Sequence, residues 1–253
     1  MAFFLRTYRI TALIVWSVFI GLWSMPYQLG GKWKDIRKIS RIVQEWNKGV
    51  ARIVGLRVTI CGELPSVPGG LVVSNHLGYV DIVTHGSTLP FRHAPKSDIE
   101  KWPILGWYIG LSRPIWINRG SKQASQKALR AFAKTMKQGM YLIVYPEGTS
   151  TDGKNGILPF KSTPFEAAIT GDAPILPVLT RYKESPGEPT VAWYGDMTLL
   201  PHVWQVLRRP SIEAELRFLE PIYPKGRSRK ELASFVHSVM QREYAKGNAA
   251  FVK

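Results

Sequence analysis

Short apolar runs, set apart by longer stretches of helical periodicity, constrain this chain more than any other feature. Leu56-Arg57-Val58-Thr59-Ile60 alternates, as a strand with one buried face does. Gly70-Leu71-Val72-Val73, Tyr141-Leu142-Ile143-Val144-Tyr145 and Ile175-Leu176-Pro177-Val178-Leu179 are continuous and read as buried strands. Pro114 to Asn118, Thr190 to Tyr194 and Ile212 to Leu219 are expected as further strands. Asp98 to Ile109 reads as a short helix interrupted near Pro103, and Ser121 to Gln138 as a longer helix that Gly139 closes. A short helix near Thr163 to Thr170 and a terminal helix from Ser228 to Tyr244 complete the pattern. Strands alternating with helices predict an α/β fold: a central mixed sheet flanked by helices.

The first 54 residues follow a different rule. Ile10 to Met25 is free of charge, with Arg6 and Arg9 before it and Trp23 and Tyr27 near its far end. It is shorter than the roughly 20 residues of a standard span. No small-x-small cleavage site stands out before Pro26, so a retained membrane-inserted helix is expected, either spanning or monotopic, with the monotopic form slightly favoured. Trp33 to Val54 reads as a second helix, with Trp33, Ile36, Ile39, Val43, Trp46, Val50 and Ile53 in an apolar stripe. Lys34, Arg37, Lys38, Arg41, Lys48 and Arg52 occupy much of its remaining surface. A basic amphipathic helix beside a hydrophobic one suits a membrane interface. The expected division is a membrane-associated helical pair at 1–54 and a globular domain at 55–253. The basic flank Lys32 to Arg41 favours a domain on the cytoplasmic side.

A formal net charge of +16 attracts polyanions: nucleic acid, anionic membrane or phosphorylated ligands. No nucleic-acid motif accompanies the charge, so membrane lipids are the expected partners and nucleic acid is not. Cys61 is the single cysteine, which excludes an internal disulfide. No Cys/His cluster has zinc spacing, and neither a metal nor a cofactor is expected.

The polar residues of interest follow the apolar runs. Ser74-Asn75-His76-Leu77-Gly78-Tyr79-Val80-Asp81 comes directly after Val73. Helical positions five apart differ by about 140° at roughly 100° per residue, so His76 and Asp81 cannot share a helix face. They meet only if His76 lies in a turn and Asp81 in the first turn of the next helix. A carboxylate would then hold one ring nitrogen and leave the other free to take a proton. Arg119 follows Trp116-Ile117-Asn118, Glu147-Gly148-Thr149-Ser150 follows the Tyr141 run, and Lys161 closes a loop rich in Gly, Thr, Ser and Asp. Taken singly, these are ordinary surface charges and capping residues; their order along the chain is what carries information.

Asn75-His76 to Asp81, Trp116-Ile117-Asn118-Arg119, Pro146-Glu147-Gly148-Thr149 and Leu176-Pro177-Val178 together resemble the four ordered blocks of the glycerolipid acyltransferases, the 1-acylglycerol-3-phosphate acyltransferases and their relatives. Ala94-Pro95-Lys96-Ser97-Asp98, with Trp102-Pro103 and Gly106, is similar to the segment between the first two blocks. The resemblance spans about residues 56 to 220. Gly78, Trp116, Ser150 and Thr163 depart from commoner choices, and the 147–153 stretch with Trp193-Tyr194-Gly195-Asp196 resembles the branch that includes lyso-ornithine lipid acyltransferases.

The resemblance implies transfer of a fatty acyl group from acyl-CoA or acyl carrier protein to the free hydroxyl of a lysolipid, with 1-acyl-sn-glycerol-3-phosphate expected first and a lyso-ornithine lipid second. In that reading His76 is the general base and Asp81 its orienting partner. Asn75, Arg119, Glu147, Gly148 and Thr149 are expected at the acceptor, with Lys96 and Lys161 as lesser phosphate contacts. The rival of another class is a non-catalytic lipid-binding protein, against which the presence of both His76 and Asp81 speaks.

Overall fold

The computed structural model describes residues 2–29, 32–118 and 120–251. Among these, six strands form one mixed sheet: β1 (Leu56–Cys61), β2 (Gly70–Ser74), β3 (Phe91–Arg92), β4 (Tyr141–Val144), β5 (Ile175–Tyr182) and β6 (Ile212–Phe218), in the order β1-β6-β5-β2-β4-β3. β2, β3, β4 and β5 run parallel. β6 is antiparallel to β5, and β1 is parallel to β6. The central strands are shielded on both faces, so Leu71, Val72 and Val73 are fully buried and the run needs no alternation.

Helices cover both faces. α6 (Lys122–Lys137), α7 (Phe165–Gly171) and α9 (Arg229–Phe251) contribute Phe132, Met136, Phe165, Leu232 and Met240 to the core that holds Leu71 and Leu142. On the other side α2 (Trp33–Val54) packs on α3 (Val80–Gly86). α4 (Ser97–Glu100), α5 (Leu105–Gly110) and α8 (Leu199–Val206) are short surface helices. Because β2 and β4 are parallel neighbours, the turns that follow them emerge at the same edge of the sheet, the edge where open α/β sheets hold their ligands.

Two expected strands are absent. Thr190 to Tyr194 is irregular, because it crosses over the turn after β2 instead of joining the sheet; the Trp193 N–H donates to the Leu77 carbonyl at 2.7 Å. Pro114 to Asn118 is extended but makes only an isolated bridge, Ile117 to Lys96. β3 is two residues long, too short to leave a periodic signal. α8 reads Leu-Leu-Pro-His-Val-Trp-Gln-Val, apolar around most of its circumference, and so lacks the stripe that marks an amphipathic helix.

α1 (Ala2–Ser24) begins earlier than the uncharged run, taking in Arg6 and Arg9. It packs antiparallel on α2: Arg9 meets the end of α2, while the Trp16 indole donates to the Trp46 carbonyl at 3.1 Å. Gly49 permits this approach, since a Cβ there would lie 2.1 Å from the Trp16 ring. Arg9 is no flanking charge. Its guanidinium is buried and donates to the carbonyls of Ile53, Leu207, Arg209 and Pro210 at 2.6–3.1 Å. At the other end Gln28 donates to the Leu111 carbonyl at 2.7 Å. The segment Phe3–Tyr27 is long and apolar enough to cross a membrane, and only 17% of its most apolar window is buried.

Arg9→Ala leaves those four carbonyls without their donor. We expect it to lower stability by at least about 2 kcal/mol, since hydrogen bonds to a charged group contribute about 1.5–3 kcal/mol and orphaned polar groups add to the loss. Thermal unfolding in detergent, with limited proteolysis of α1 as a second readout, checks it.

Candidate active site

The turn after β2 and the start of α3 bring His76 and Asp81 together as the five-residue spacing requires. His76 Nδ1 lies 2.7 Å from Asp81 Oδ2. A carboxylate oxygen only accepts, so Nδ1 carries the proton and Nε2 is the ring nitrogen left with a lone pair. Asp81 Oδ2 also accepts from the Leu77 N–H at 2.7 Å and the Gly78 N–H at 3.0 Å. Asp81 Oδ1 accepts from the Tyr182 hydroxyl at 2.7 Å. The Asp81 side chain is fully buried, while that of His76 is 23% exposed. The dyad is thus anchored inside and open at its imidazole edge.

Burial by itself pushes the Asp81 carboxyl up. The hydrogen bond and charge of His76, the charge of His85 and the Tyr182 hydroxyl outweigh it and hold the carboxyl below its ordinary value. Burial, with the Asp81 charge adding to it, pushes the Tyr182 phenol well above its ordinary range, so Tyr182 remains a donor. His76 is fixed from a third side by Tyr145, whose ring stacks on the imidazole at 4.2 Å between centroids and 19° between planes. Beneath the dyad His85 is fully buried, and burial lowers its pKa against the opposing pull of the Asp81 charge and carbonyl. Its Nδ1 lies 2.7 Å from the Asp81 carbonyl, which only accepts, so Nδ1 donates and Nε2 faces Thr180 Oγ1 at 3.1 Å.

The turn after β4 wraps the backbone of His76. Glu147 Oε1 accepts from the His76 N–H at 2.7 Å, and the Thr151 N–H donates to the His76 carbonyl at 3.0 Å. Glu147 Oε2 accepts from the Leu158 N–H at 2.8 Å. Burial raises the Glu147 carboxyl, against the lowering effect of those two N–H donors. Gly148 turns with φ +78°, and a Cβ there would stand 2.4 Å from Lys161 Nζ. The glycine therefore lets the ammonium settle against the turn.

Two residues expected at the acceptor are engaged elsewhere. Asn75 is buried, and its carboxamide exchanges two hydrogen bonds with the Thr180 backbone at 2.8 and 3.0 Å, tying the end of β2 to β5. Glu147 accepts a backbone N–H at each carboxylate oxygen and so shapes the turn that carries His76. Thr149, Lys161 and Lys96 are exposed, and Lys96 sits at the start of α4. Arg119 lies outside the described residues. Tyr182 at the end of β5, Tyr145 just after β4 and His85 within α3 had no distinguishing signal in the chain. Among the described residues no group of three or more His, Cys, Asp or Glu is placed to hold a metal ion. Two shallow cavities, of about 380 and 450 Å³, lie away from the dyad: the first beside Trp23, Tyr27, Lys38 and Arg41, the second beside Trp102, Trp107 and Trp116.

Comparison with known proteins gives this arrangement a family. Residues 56–181 match the profile of the acyltransferase family. The chain is 30% identical over 247 residues to the lyso-ornithine lipid O-acyltransferase of Brucella abortus, covering 90% of each protein. It is 28% identical over 220 residues to the 1-acyl-sn-glycerol-3-phosphate acyltransferase of Neisseria meningitidis, covering 86% of this chain and 84% of that one. Its fold matches the crystal structure of the 1-acyl-sn-glycerophosphate acyltransferase of Thermotoga maritima with a TM-score of 0.73, at 23% identity, over 99% of this chain and 98% of that one. The chain belongs to the acyltransferase family, and it is an acyl-transferring enzyme.

Tyr182→Phe strips Asp81 Oδ1 of its donor without altering shape. We expect a loss of about 1.5–3 kcal/mol at pH 7, the range for a hydrogen bond to a charged group. The sign with pH follows from the depressed Asp81 carboxyl: its ionised form stabilises the fold above the ordinary value near 4 and loses that contribution as pH falls through the folded value. The thermal midpoint gap between wild type and Tyr182→Phe should therefore narrow as pH drops below about 4.

Proposed function

We propose that the enzyme transfers a fatty acyl group from an acyl thioester, acyl-CoA or acyl carrier protein, to the free hydroxyl of a lysolipid. The observation that carries this reading is the His76–Asp81 pair, buried at its carboxylate and open at the imidazole edge. The acceptor hydroxyl donates its proton to His76 Nε2 as its oxygen attacks the thioester carbonyl carbon. Asp81 stabilises the imidazolium that forms. Collapse of the tetrahedral intermediate expels the thiolate, which takes the proton back from Nε2 and leaves as the thiol. No acyl-enzyme is needed, and Cys61, on β1 near the far edge of the sheet, has no part.

The first acceptor we propose is 1-acyl-sn-glycerol-3-phosphate, giving phosphatidic acid, with Lys161, which lies against Gly148, as a cation beside the turn that wraps His76. Arg119, Thr149 and Lys96 complete the proposed head-group contacts. A lyso-ornithine lipid is the second reading, favoured by the 90% mutual coverage with the Brucella abortus enzyme. Both acceptors are bilayer lipids, which suits the exposed apolar α1. We propose that residues 1–54 associate with the membrane and that the 55–253 domain stays on the cytoplasmic side. Arg9 within α1 and Gln28 just beyond it are both bonded to the domain, which favours a helix lying in the interface over one that spans.

His76→Ala should lower turnover by at least about 10²-fold, the low end for general-base catalysis. The assay is acyl transfer by detergent-solubilised protein, with lysophosphatidic acid and lyso-ornithine lipid side by side and each thioester donor in turn. Product from the ornithine acceptor alone moves the acceptor assignment and keeps the mechanism. Near wild-type turnover of His76→Ala removes the histidine from this role.

A further inference from the structure

The link between α4 and α5 is built against ordinary backbone preference. Ile104 has φ 63° and ψ −56°, a conformation that a β-branched residue rarely adopts. It is the centre of a γ-turn, closed by the Leu105 N–H donating to the Pro103 carbonyl at 2.6 Å. Gly106 lets the turn fold back, since a Cβ there would lie 2.2 Å from the Glu100 carbonyl oxygen. What this strain achieves is display of apolar groups. Ile104 is 83% exposed at the tip, with Trp107 63%, Trp102 43% and Leu105 39% exposed around it. In water such a tip is unfavourable twice over, in backbone conformation and in apolar exposure.

The tip is continuous with α1. The Tyr108 hydroxyl of α5 donates to the Ser17 carbonyl at 3.1 Å, and Gly21 faces Tyr108 and Leu111 at contact distance. Val18 and Leu22, the next residues on α1, are more than half exposed. Lys101 lies next to Trp102 in the chain, and Lys34, Arg37, Lys38 and Arg41 lie in the first half of α2, with Lys38 over the Tyr27 ring. Tryptophans around an aliphatic apex match the layering of a bilayer surface, rings at the head groups and the aliphatic group among the chains, and the chain's net charge of +16 favours an anionic one.

We propose that Trp102–Trp107 is a second membrane-inserting element, a wedge that enters the bilayer beside α1 and fixes how the globular domain faces the lipid. Its occupant is anionic phospholipid bilayer. The proposal rests on the membrane reading given above, and the two fail separately in the following experiment.

In the full chain with Cys61→Ser, a single cysteine is placed at Ile104, at Val18 on α1, or at Glu63 after β1, at the opposite edge of the sheet. Each carries an environment-sensitive fluorophore and is mixed with phosphatidylethanolamine–phosphatidylglycerol vesicles containing chain-nitroxide lipid. Quenching at 104 within about twofold of that at 18, with little at 63, is the expected result. Quenching at 18 but not at 104 overturns the wedge and leaves the membrane reading intact. Quenching at none of the three overturns both. Unlabelled Ile104→Asp, at an exposed site, should keep its thermal midpoint and its activity on detergent-dispersed acceptor while vesicle partitioning falls about tenfold. Unchanged partitioning, or a shift of oligomeric state in detergent showing that the tip holds a second copy, overturns the proposal.

Discussion

The Asp81 carboxylate is the interaction on which the rest of this structure depends. A buried charge is tolerated only where hydrogen bonds replace its water. Here the replacements come from separate parts of the chain: the His76 ring, the N–H groups of Leu77 and Gly78, and the Tyr182 hydroxyl. Tyr182 lies at the end of β5, while the others belong to the turn after β2. The parallel pairing of β2 with β5 is therefore a condition for the site, and Asn75 secures it by bonding the Thr180 backbone. A carboxylate held by four donors has no freedom to turn, so the imidazole it holds is aimed as well.

A second buried carboxylate, Glu147, performs the corresponding task for the backbone. It spans from the His76 N–H to the Leu158 N–H, and so sets the loop after β4 around the histidine. The two acidic residues do opposite things with their burial. Asp81 gains enough partners to be held below its ordinary pKa, while Glu147 is left above it. In the proposed mechanism proton transfer belongs to the first site, while the second places the loop.

Below the surface, Arg9 ties α1 to the domain, alongside the packing of Trp16 on α2 and the Tyr108 bond to Ser17. Arg9 reaches into the domain and satisfies carbonyls from the end of α2 and from the 207–210 segment. The apolar remainder of α1 is left facing outwards, beside the strained tip at Ile104. The apolar face of α1 and the edge that carries His76 are thereby tied to one domain, which is what the proposed chemistry on a bilayer acceptor would require.

Much of this was legible along the chain. Continuous apolar runs marked β2, β4 and β5, because strands shielded on both faces need no polar alternation. The span of α2 followed from its stripe, and the structure shows Gly55 closing it in the left-handed conformation. The five-residue spacing determined where His76 and Asp81 stand relative to a helix start. Other features had no local cause. Thr190 to Tyr194 has the residues of a strand but lies over the turn at Leu77, a choice made by packing. Asn75 and Glu147 sit in recognisable blocks, yet only the fold shows that their polar atoms are consumed by backbone. Tyr182, Tyr145 and His85 are ordinary strand and helix residues until β2, β4 and β5 lie side by side. The sequence by itself determined the strands, the helices and the turn that bears the histidine, because periodicity and turn chemistry act over a few residues. The tertiary structure decided which groups surround Asp81, how Arg9 pins α1 and why Ile104 is displayed, because burial and hydrogen bonding join residues far apart in the chain.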